Sequence, residues 1–145
     1  INLPADEFNI NITYINKLIK LLKSFKTESV ATLMYKTTNS DEYSNKNNVK
    51  VIADKSSKAI TFTRQKLTSV GSHYLIHLGV YAFKFKTLAL YQKFGQCDYE
   101  KKESLEQLRL IWNNIPVYCV QVENNKSIGI NSIHDLKKAR LLYGN

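Results

Sequence analysis

Four short stretches of this sequence carry residue types able to do chemistry. Asp6 and Glu7 follow the apolar run Ile1-Asn2-Leu3-Pro4-Ala5. Carboxylates just beyond a strand's C-terminal end sit where α/β sheets bind ligands, although an acidic pair also suits a solvated loop or helix start. In His77-Leu78-Gly79-Val80-Tyr81, an extended backbone puts His77, Gly79 and Tyr81 on one face. Gly79 between two polar rings leaves a shallow floor for a small ligand. A half-buried strand with hydrogen-bonded His and Tyr explains the same pattern. Glu106 and Gln107 are neighbours on an expected helix, pointing about 100° apart, so one ligand meets both only at the helix's N-terminal end or edge. Solvent-facing side chains are the simpler alternative. Gly129-Ile130-Asn131-Ser132 forms the turn into a last helix, where backbone amides could meet an anion or Ser132 could simply cap. His134 reads as a surface residue and His73 as uninformative. There is no Walker A loop, HExxH, GxGxxG or Gly-x-Ser-x-Gly.

The elements that must position these residues are legible from periodicity. Residues 1–5 read as a short strand. Ile15, Leu18, Ile19, Leu22 and Phe25 recur at helical steps, predicting an amphipathic helix from Thr13, its N-cap, to Phe25. Strands are expected over 29–35, 49–53, 59–63, 73–83 and 116–122, with Asp54-Lys55-Ser56-Ser57 as a hairpin turn and 37–48 as a polar loop. A helix is expected over 103–113. A last one runs from Ser132, in a capping box with Asp135, to a stop at Gly144. Interleaved strands and helices make the fold class α/β with mixed layers, one domain over residues 1–145, without repeat or linker.

Composition narrows the function. The 145 residues carry a net charge of +9, but there are only three arginines, at 64, 109 and 140, and the lysines are scattered among acids. This suits a solvated surface better than a nucleic-acid patch. The abundance of Asn, Ile and Lys resembles the coding bias of an AT-rich genome. No apolar run reaches the ~18 residues of a membrane span, and no secretory signal opens the sequence. Cys97 and Cys119 lack metal-site spacing and disulfide partners in a framework, with Cys119 read as a small buried hydrophobe. A cytoplasmic protein binding neither nucleic acid nor membrane is expected.

Order and spacing say more. HLGVYAFK, then SLEQLRLIW, then SIGINSIHDLKKARLL resembles the C-terminal half of the 3-deoxy-manno-octulosonate cytidylyltransferases, the CMP-Kdo synthetases. That family reads H-L-G-I-Y-G/A-Y-R, then L-E-Q-L-R-x-L, then G-V-D-T-P-E-D-L. Upstream, INLPADEF resembles V-N-V-Q-G-D-E-P, VATL is shared, NNVKVIAD resembles N-x-V-K-V-V-x-D, and AITFTR resembles A-L-Y-F-S-R. The resemblance implies a nucleotidyltransferase that joins CTP and Kdo into CMP-Kdo and pyrophosphate for lipopolysaccharide biosynthesis, with Mg²⁺ as cofactor. It implies a Rossmann-like, nucleotide-diphospho-sugar transferase fold with a mixed sheet, of which this chain is the sugar-binding and dimerising part, as a homodimer. It assigns Asp6 as the first metal aspartate and catalytic residue, and Arg64, His77, Tyr81, Glu106 and Gln107 as Kdo-binding residues. Arg64 would meet the sugar carboxylate bidentately.

Three departures shape the expectation for this chain. The second metal aspartate falls on Asn131, a neutral ligand. The family's glutamine before the first metal aspartate falls on Pro4, which has no amide hydrogen. The connection from Arg64 to His77 is about ten residues shorter than usual. The family's opening nucleotide-binding half, with its CTP loop, has no counterpart here. The Met-less start at Ile1 is therefore expected to mark a truncated, incomplete domain, inactive as it stands. The alternative is a non-catalytic remnant or binding module of the same family.

Overall fold

A computed structural model of the chain describes residues 1–4, 7–8, 10–67, 73–123, 128–129 and 133–143. In chain order the elements are β1 (Glu7–Phe8), α1 (Ile12–Ser24), β2 (Val30–Thr37), α2 (Ser40–Ser44), β3 (Lys50–Ala53), β4 (Ala59–Thr63), β5 (Tyr74–Phe83), α3 (Phe85–Tyr91), α4 (Asp98–Glu103), α5 (Leu108–Trp112), β6 (Val117–Val122), β7 (Ile128–Gly129) and α6 (Ile133–Tyr143). Five strands form a mixed sheet ordered β4-β3-β5-β2-β6, and β1 pairs with β7 in a separate ladder. Only β2 and β6 run parallel; the other pairings are antiparallel.

Alternation along β2 sends residues to two cores. Ala31 and Leu33 join Leu78, Val80 and Ala82 of β5 under Leu18 and Leu22 of α1. Val30 and Met34 join Val51, Phe62, Val117 and Cys119 on the other face, covered by Leu105, Leu108 and Leu110. Each buried leucine contributes about 2 kcal/mol, so α1 and the α5 segment are held by their apolar stripes.

The strands lie where alternation put them, and β4 matches at both ends. The β3–β4 turn is built by Asp54, whose Oδ1 accepts from the Ser56 and Lys58 amides at 2.8 and 3.0 Å, with Ser57 left-handed at φ 61°. Elsewhere the structure corrects the expectation. Residues 1–4 make only an isolated bridge, Asn2 to Tyr81. Thr13 lies inside α1, and the cap is Asn11, whose Oδ1 accepts from the Thr13 amide at 2.9 Å. The polar 37–48 segment contains α2, capped by Asn39. The expected 103–113 helix is split, because Ser104 takes a left-handed conformation (φ 53°, ψ 50°) and residues 105–107 form a turn. Ser132 and Gly144, expected to bound the last helix, lie outside the described residues. No described helix is long and apolar enough to cross a membrane.

One irregularity bears on the site. Along β2 the β5 partner steps from Tyr81 opposite Thr32 to Leu78 opposite Leu33, so Gly79 and Val80 bulge from the ladder. The buried Thr32 hydroxyl fills the gap, 2.8 Å from Val80 O and 3.3 Å from Leu78 O.

Candidate functional site

A cavity of about 710 Å³ opens between the end of β5, α3 and the turn before α5. Tyr81, Phe83, Tyr91, Glu106, Gln107 and Arg109 form much of its wall, with Asn2 at one side. Tyr81 is fixed by the Asn2 bridge, its N–H donating to Asn2 O at 3.0 Å and its carbonyl accepting from Asn2 N at 2.8 Å. Burial holds the Tyr81 hydroxyl well above its usual acidity range, so it acts as a neutral donor and acceptor. The α3 rim is anchored: Lys84 Nζ donates to Phe25 O and Thr27 O at 2.6 and 2.8 Å, and the Thr87 hydroxyl donates to Glu28 Oε2 at 2.7 Å.

The break at Ser104 sets the opposite wall. Glu100, 3% exposed in its side chain, receives Arg109 through both carboxylate oxygens, with Nε to Oε2 at 2.8 Å. This pairing lowers the Glu100 pKa against the opposing pull of burial and raises the already high Arg109 pKa. The Arg109 guanidinium lies 4.7 Å from the Tyr91 ring centroid, and the Tyr91 hydroxyl donates to Glu106 O at 3.4 Å. Glu106 and Gln107 therefore stand on a pinned turn, with Gln107 in the cap position of α5. Glu106 is exposed. Gln107 is 7% exposed and lines the cavity, which places its side-chain amide within reach of a bound ligand. Its amide carries both a donor and an acceptor, so it can pair with a ligand hydroxyl in either sense.

His77 stands behind Tyr81, ring centroids 5.3 Å apart, with Phe62 edge-on at 4.9 Å. It does not line the cavity. Its Nε2 is 2.9 Å from Thr32 Oγ1. The hydroxyl has one proton, and Val80 O at 2.8 Å can only accept it, so Nε2–H donates to Oγ1. Burial pushes the imidazole down to about 3, making His77 neutral.

Arg64 stands apart from that wall. Its Nε donates to Glu103 O at 3.2 Å, and Nη1 donates to Lys46 O and Asn47 O, each at 3.3 Å. Only Nη2 has no partner among the described residues, so the expected bidentate grip on a carboxylate is reduced here to one nitrogen. Gly79 leaves no free floor, because a Cβ there would meet Pro4 Cγ at 3.2 Å. The Pro4 ring occupies that space.

Asp6 and Asn131 lie outside the described residues. The described β1–β7 ladder pairs Glu7 with Gly129. One carboxylate and one amide carbonyl are hard oxygen donors of the kind Mg²⁺ takes alongside substrate phosphates. Among the described residues no group of three or more metal-ligating side chains gathers. The two thiols are free and buried, and burial pushes Cys119 up to about 12, so neither is placed for chemistry.

The structure brings Tyr81, Glu106 and Gln107 of the expected set to one cavity wall, and sequence reasoning missed Thr32, Tyr91 and the Glu100–Arg109 pair. Arginine following an acidic segment at nine residues' distance carries no periodic signal for such a pair.

A Rossmann-like mixed sheet with a polar cavity beside a strand carrying His-x-Gly-x-Tyr defines a nucleotidyltransferase-type scaffold. Residues 1–128 match the sequence profile of the family described as cytidylyltransferase, and the chain belongs to that family. Within it, the chain is similar to the 3-deoxy-manno-octulosonate cytidylyltransferase of Fusobacterium nucleatum subsp. nucleatum, 34% identical over 142 residues, 95% of this chain and 58% of the relative. The enzyme of the same name from Francisella tularensis subsp. novicida is 31% identical over 153 residues, 99% of this chain and 61% of its own length. A solved structure of CMP:2-keto-3-deoxy-manno-octonic acid synthetase complexed with CTP superposes with a TM-score of 0.88 at 28% identity, covering 97% of this chain and 59% of that one. The chain thus spans about 60% of the length of the relatives it matches.

Proposed function

We propose that this chain is the sugar-acid side of a CMP-Kdo-forming nucleotidyltransferase. The observation that carries the reading is the cavity wall itself, where Gln107, Glu106 and Tyr81 gather hydrogen-bonding groups around one space. A polyhydroxylated sugar acid supplies the hydroxyls that such groups pair with, and the names of the relatives point to 3-deoxy-manno-octulosonate.

In the reaction so proposed, the sugar's anomeric hydroxyl loses its proton to water and its oxygen bonds to the α-phosphorus of CTP. The bond from that phosphorus to the bridging oxygen breaks, and pyrophosphate leaves. Glu106 accepts and Gln107 donates or accepts at the sugar hydroxyls, while the Tyr81 and Tyr91 rings shield the sugar from water. Neutral His77 fixes the Tyr81 ring from behind and supplies no positive charge. Arg64 meets the carboxylate through Nη2; the Phe62, His77 and Tyr81 rings run as one row from its strand to the cavity. Asp6 and Asn131 would hold Mg²⁺, which when bound offsets charge on the phosphate oxygens. The product would serve lipopolysaccharide synthesis in the cytoplasm, where free thiols persist, and the active form would be a homodimer built on this single domain.

A second reading, a sugar-acid-binding module without catalysis, is favoured by Asn131 in place of an aspartate and by the Pro4 ring packed on Gly79. Titration calorimetry with Kdo, followed by pyrophosphate release from CTP, Mg²⁺ and Kdo, separates them. The release assay is run with the chain alone and with the N-terminal portion of a full-length relative added. Kdo binding that Gln107→Leu weakens about tenfold supports the site; Kdo binding indifferent to that change removes it. Binding without release in either mixture, unaltered by Asn131→Asp, leaves the module reading.

A further inference from the structure

Among the described residues Lys50 is the one buried lysine, 1% exposed, while most of the others stand in water. Its ammonium donates to Asn45 O at 2.8 Å and Arg64 O at 3.0 Å and lies 5.6 Å from the Tyr43 ring centroid. Burial draws its pKa down, the Arg64 charge adds to that, and Glu103 opposes it. A charge held in such a place is costly unless its donors are used, and here two are used on carbonyls that bracket Arg64. Asn45 O immediately precedes the Lys46 and Asn47 carbonyls that accept from Arg64 Nη1. The second carbonyl is that of Arg64 itself, whose amide is held by Glu103 Oε2 at 2.9 Å. One ammonium thus ties the loop that grips the guanidinium to the residue that carries it.

We propose that Lys50 is a positioning residue for Arg64: it clamps the Asn45 and Arg64 carbonyls, seats the guanidinium against the Lys46 and Asn47 carbonyls, and leaves Nη2 as the single arm for a ligand carboxylate. This rests on the proposed role of Arg64 toward the sugar acid. An arginine so held recognises a carboxylate by one nitrogen, and its geometry depends on a lysine that never touches the ligand.

The chain has three arginines, so its guanidinium N–H signals are few, and Arg109, held by Glu100, is an internal control for folding. In ¹⁵N-labelled chain, Lys50→Met is expected to speed solvent exchange of the Arg64 Nη–H protons, which the Lys46 and Asn47 carbonyls accept, about tenfold, the loss of roughly one hydrogen bond's protection, with the Arg109 signals unchanged. Lys50→Arg, which keeps a cation and donors, should restore most of the protection. Unchanged Arg64 exchange in Lys50→Met overturns the proposal. If Lys50→Met fails to fold, Lys50→Gln, a shorter neutral donor, is measured the same way, with intermediate exchange expected and wild-type exchange overturning it. Added Kdo separates this from the underlying reading. Lys50-dependent exchange with no Arg64 response to Kdo retains the positioning and removes the sugar-acid role; a Kdo response without Lys50 dependence does the reverse.

Discussion

Burial fixes His77 as a neutral ring, and the consequence is a stability that falls as acid is added. Its folded-state pKa is pushed down to about 3 by desolvation, against about 6.5 for the unfolded chain. Between those values the unfolded state binds more protons than the folded state, so stability rises with pH and is lost as pH falls from about 6.5 toward 3. Integrated from pH 7 to pH 5, this one site removes about 2 kcal/mol, and below pH 6 the slope approaches ~1.4 kcal/mol per pH unit. The carboxylates with lowered pKa, Glu28, Asp54 and Glu100, titrate below this window, so they leave it clean. The assay is urea unfolding at pH 7, 6 and 5 for the wild type and His77→Gln. The variant's absolute stability will drop, because a buried hydrogen bond to Thr32 is altered. Its pH slope is the measurement, and it should be flatter by about 2 kcal/mol across the window. Equal slopes, or a His77 pKa near 6.5 from ring-proton titration, would refute the neutral-ring argument and its assigned Nε2–H tautomer.

Three further outcomes are expected. Gln107→Leu replaces an amide on the cavity wall with an apolar group of similar size, so thermal stability should change by less than about 1 kcal/mol while Kdo affinity falls about tenfold; unchanged affinity would remove Gln107 from the site. Glu100→Gln should cost about 3 kcal/mol in chemical denaturation by leaving Arg109 unpaired, and Glu100→Leu with Arg109→Met should recover much of it. Gly79→Ala brings a Cβ to 3.2 Å of the Pro4 ring and should cost about 1 kcal/mol, a cost absent in a Pro4→Gly background, as differential scanning calorimetry of the four chains will read.

The sheet was legible because each buried strand alternates or runs apolar against a recognisable turn. The Asp54-Lys55-Ser56-Ser57 hairpin needed only local chemistry, an aspartate accepting from amides two and four residues on. The segment from Phe85 to Asn113 was not legible. Ser104 interrupts a stretch whose leucines keep helical spacing, and a left-handed serine leaves no mark in sequence. What breaks the helix is tertiary: Glu103 is drawn to Thr63, Arg64 and Gln65 on one side, and Glu100 to Arg109 on the other. The α4 segment itself buries chiefly Glu100, so it shows no apolar stripe to read. The bulge at Gly79 and Val80 was hidden for a related reason: it keeps His77 and Tyr81 on the face that simple alternation assigns them, while adding two residues to β5 that have no partner in β2.

The charges around the cavity decide how an acidic sugar is recognised. Arg109 is balanced by Glu100, and Lys84, although charged, already spends two donors on backbone carbonyls. Glu106 adds a negative charge to the wall, and His77 adds none. The net charge of +9 over the whole chain is therefore not concentrated where the proposed ligand sits, and screening at physiological salt reduces its pull further. Hydroxyl pairing by Gln107 and Glu106 must then supply most of the selectivity within the cavity, and the carboxylate must be answered by Arg64 from outside its wall. With Nε and Nη1 committed to carbonyls, that answer is a single charge-assisted bond, worth about 1.5–3 kcal/mol. Discrimination between a sugar acid and its neutral analogue should accordingly be of the order of tenfold to a hundredfold. A much larger ratio in competition binding would require a second cation that the described residues do not place there.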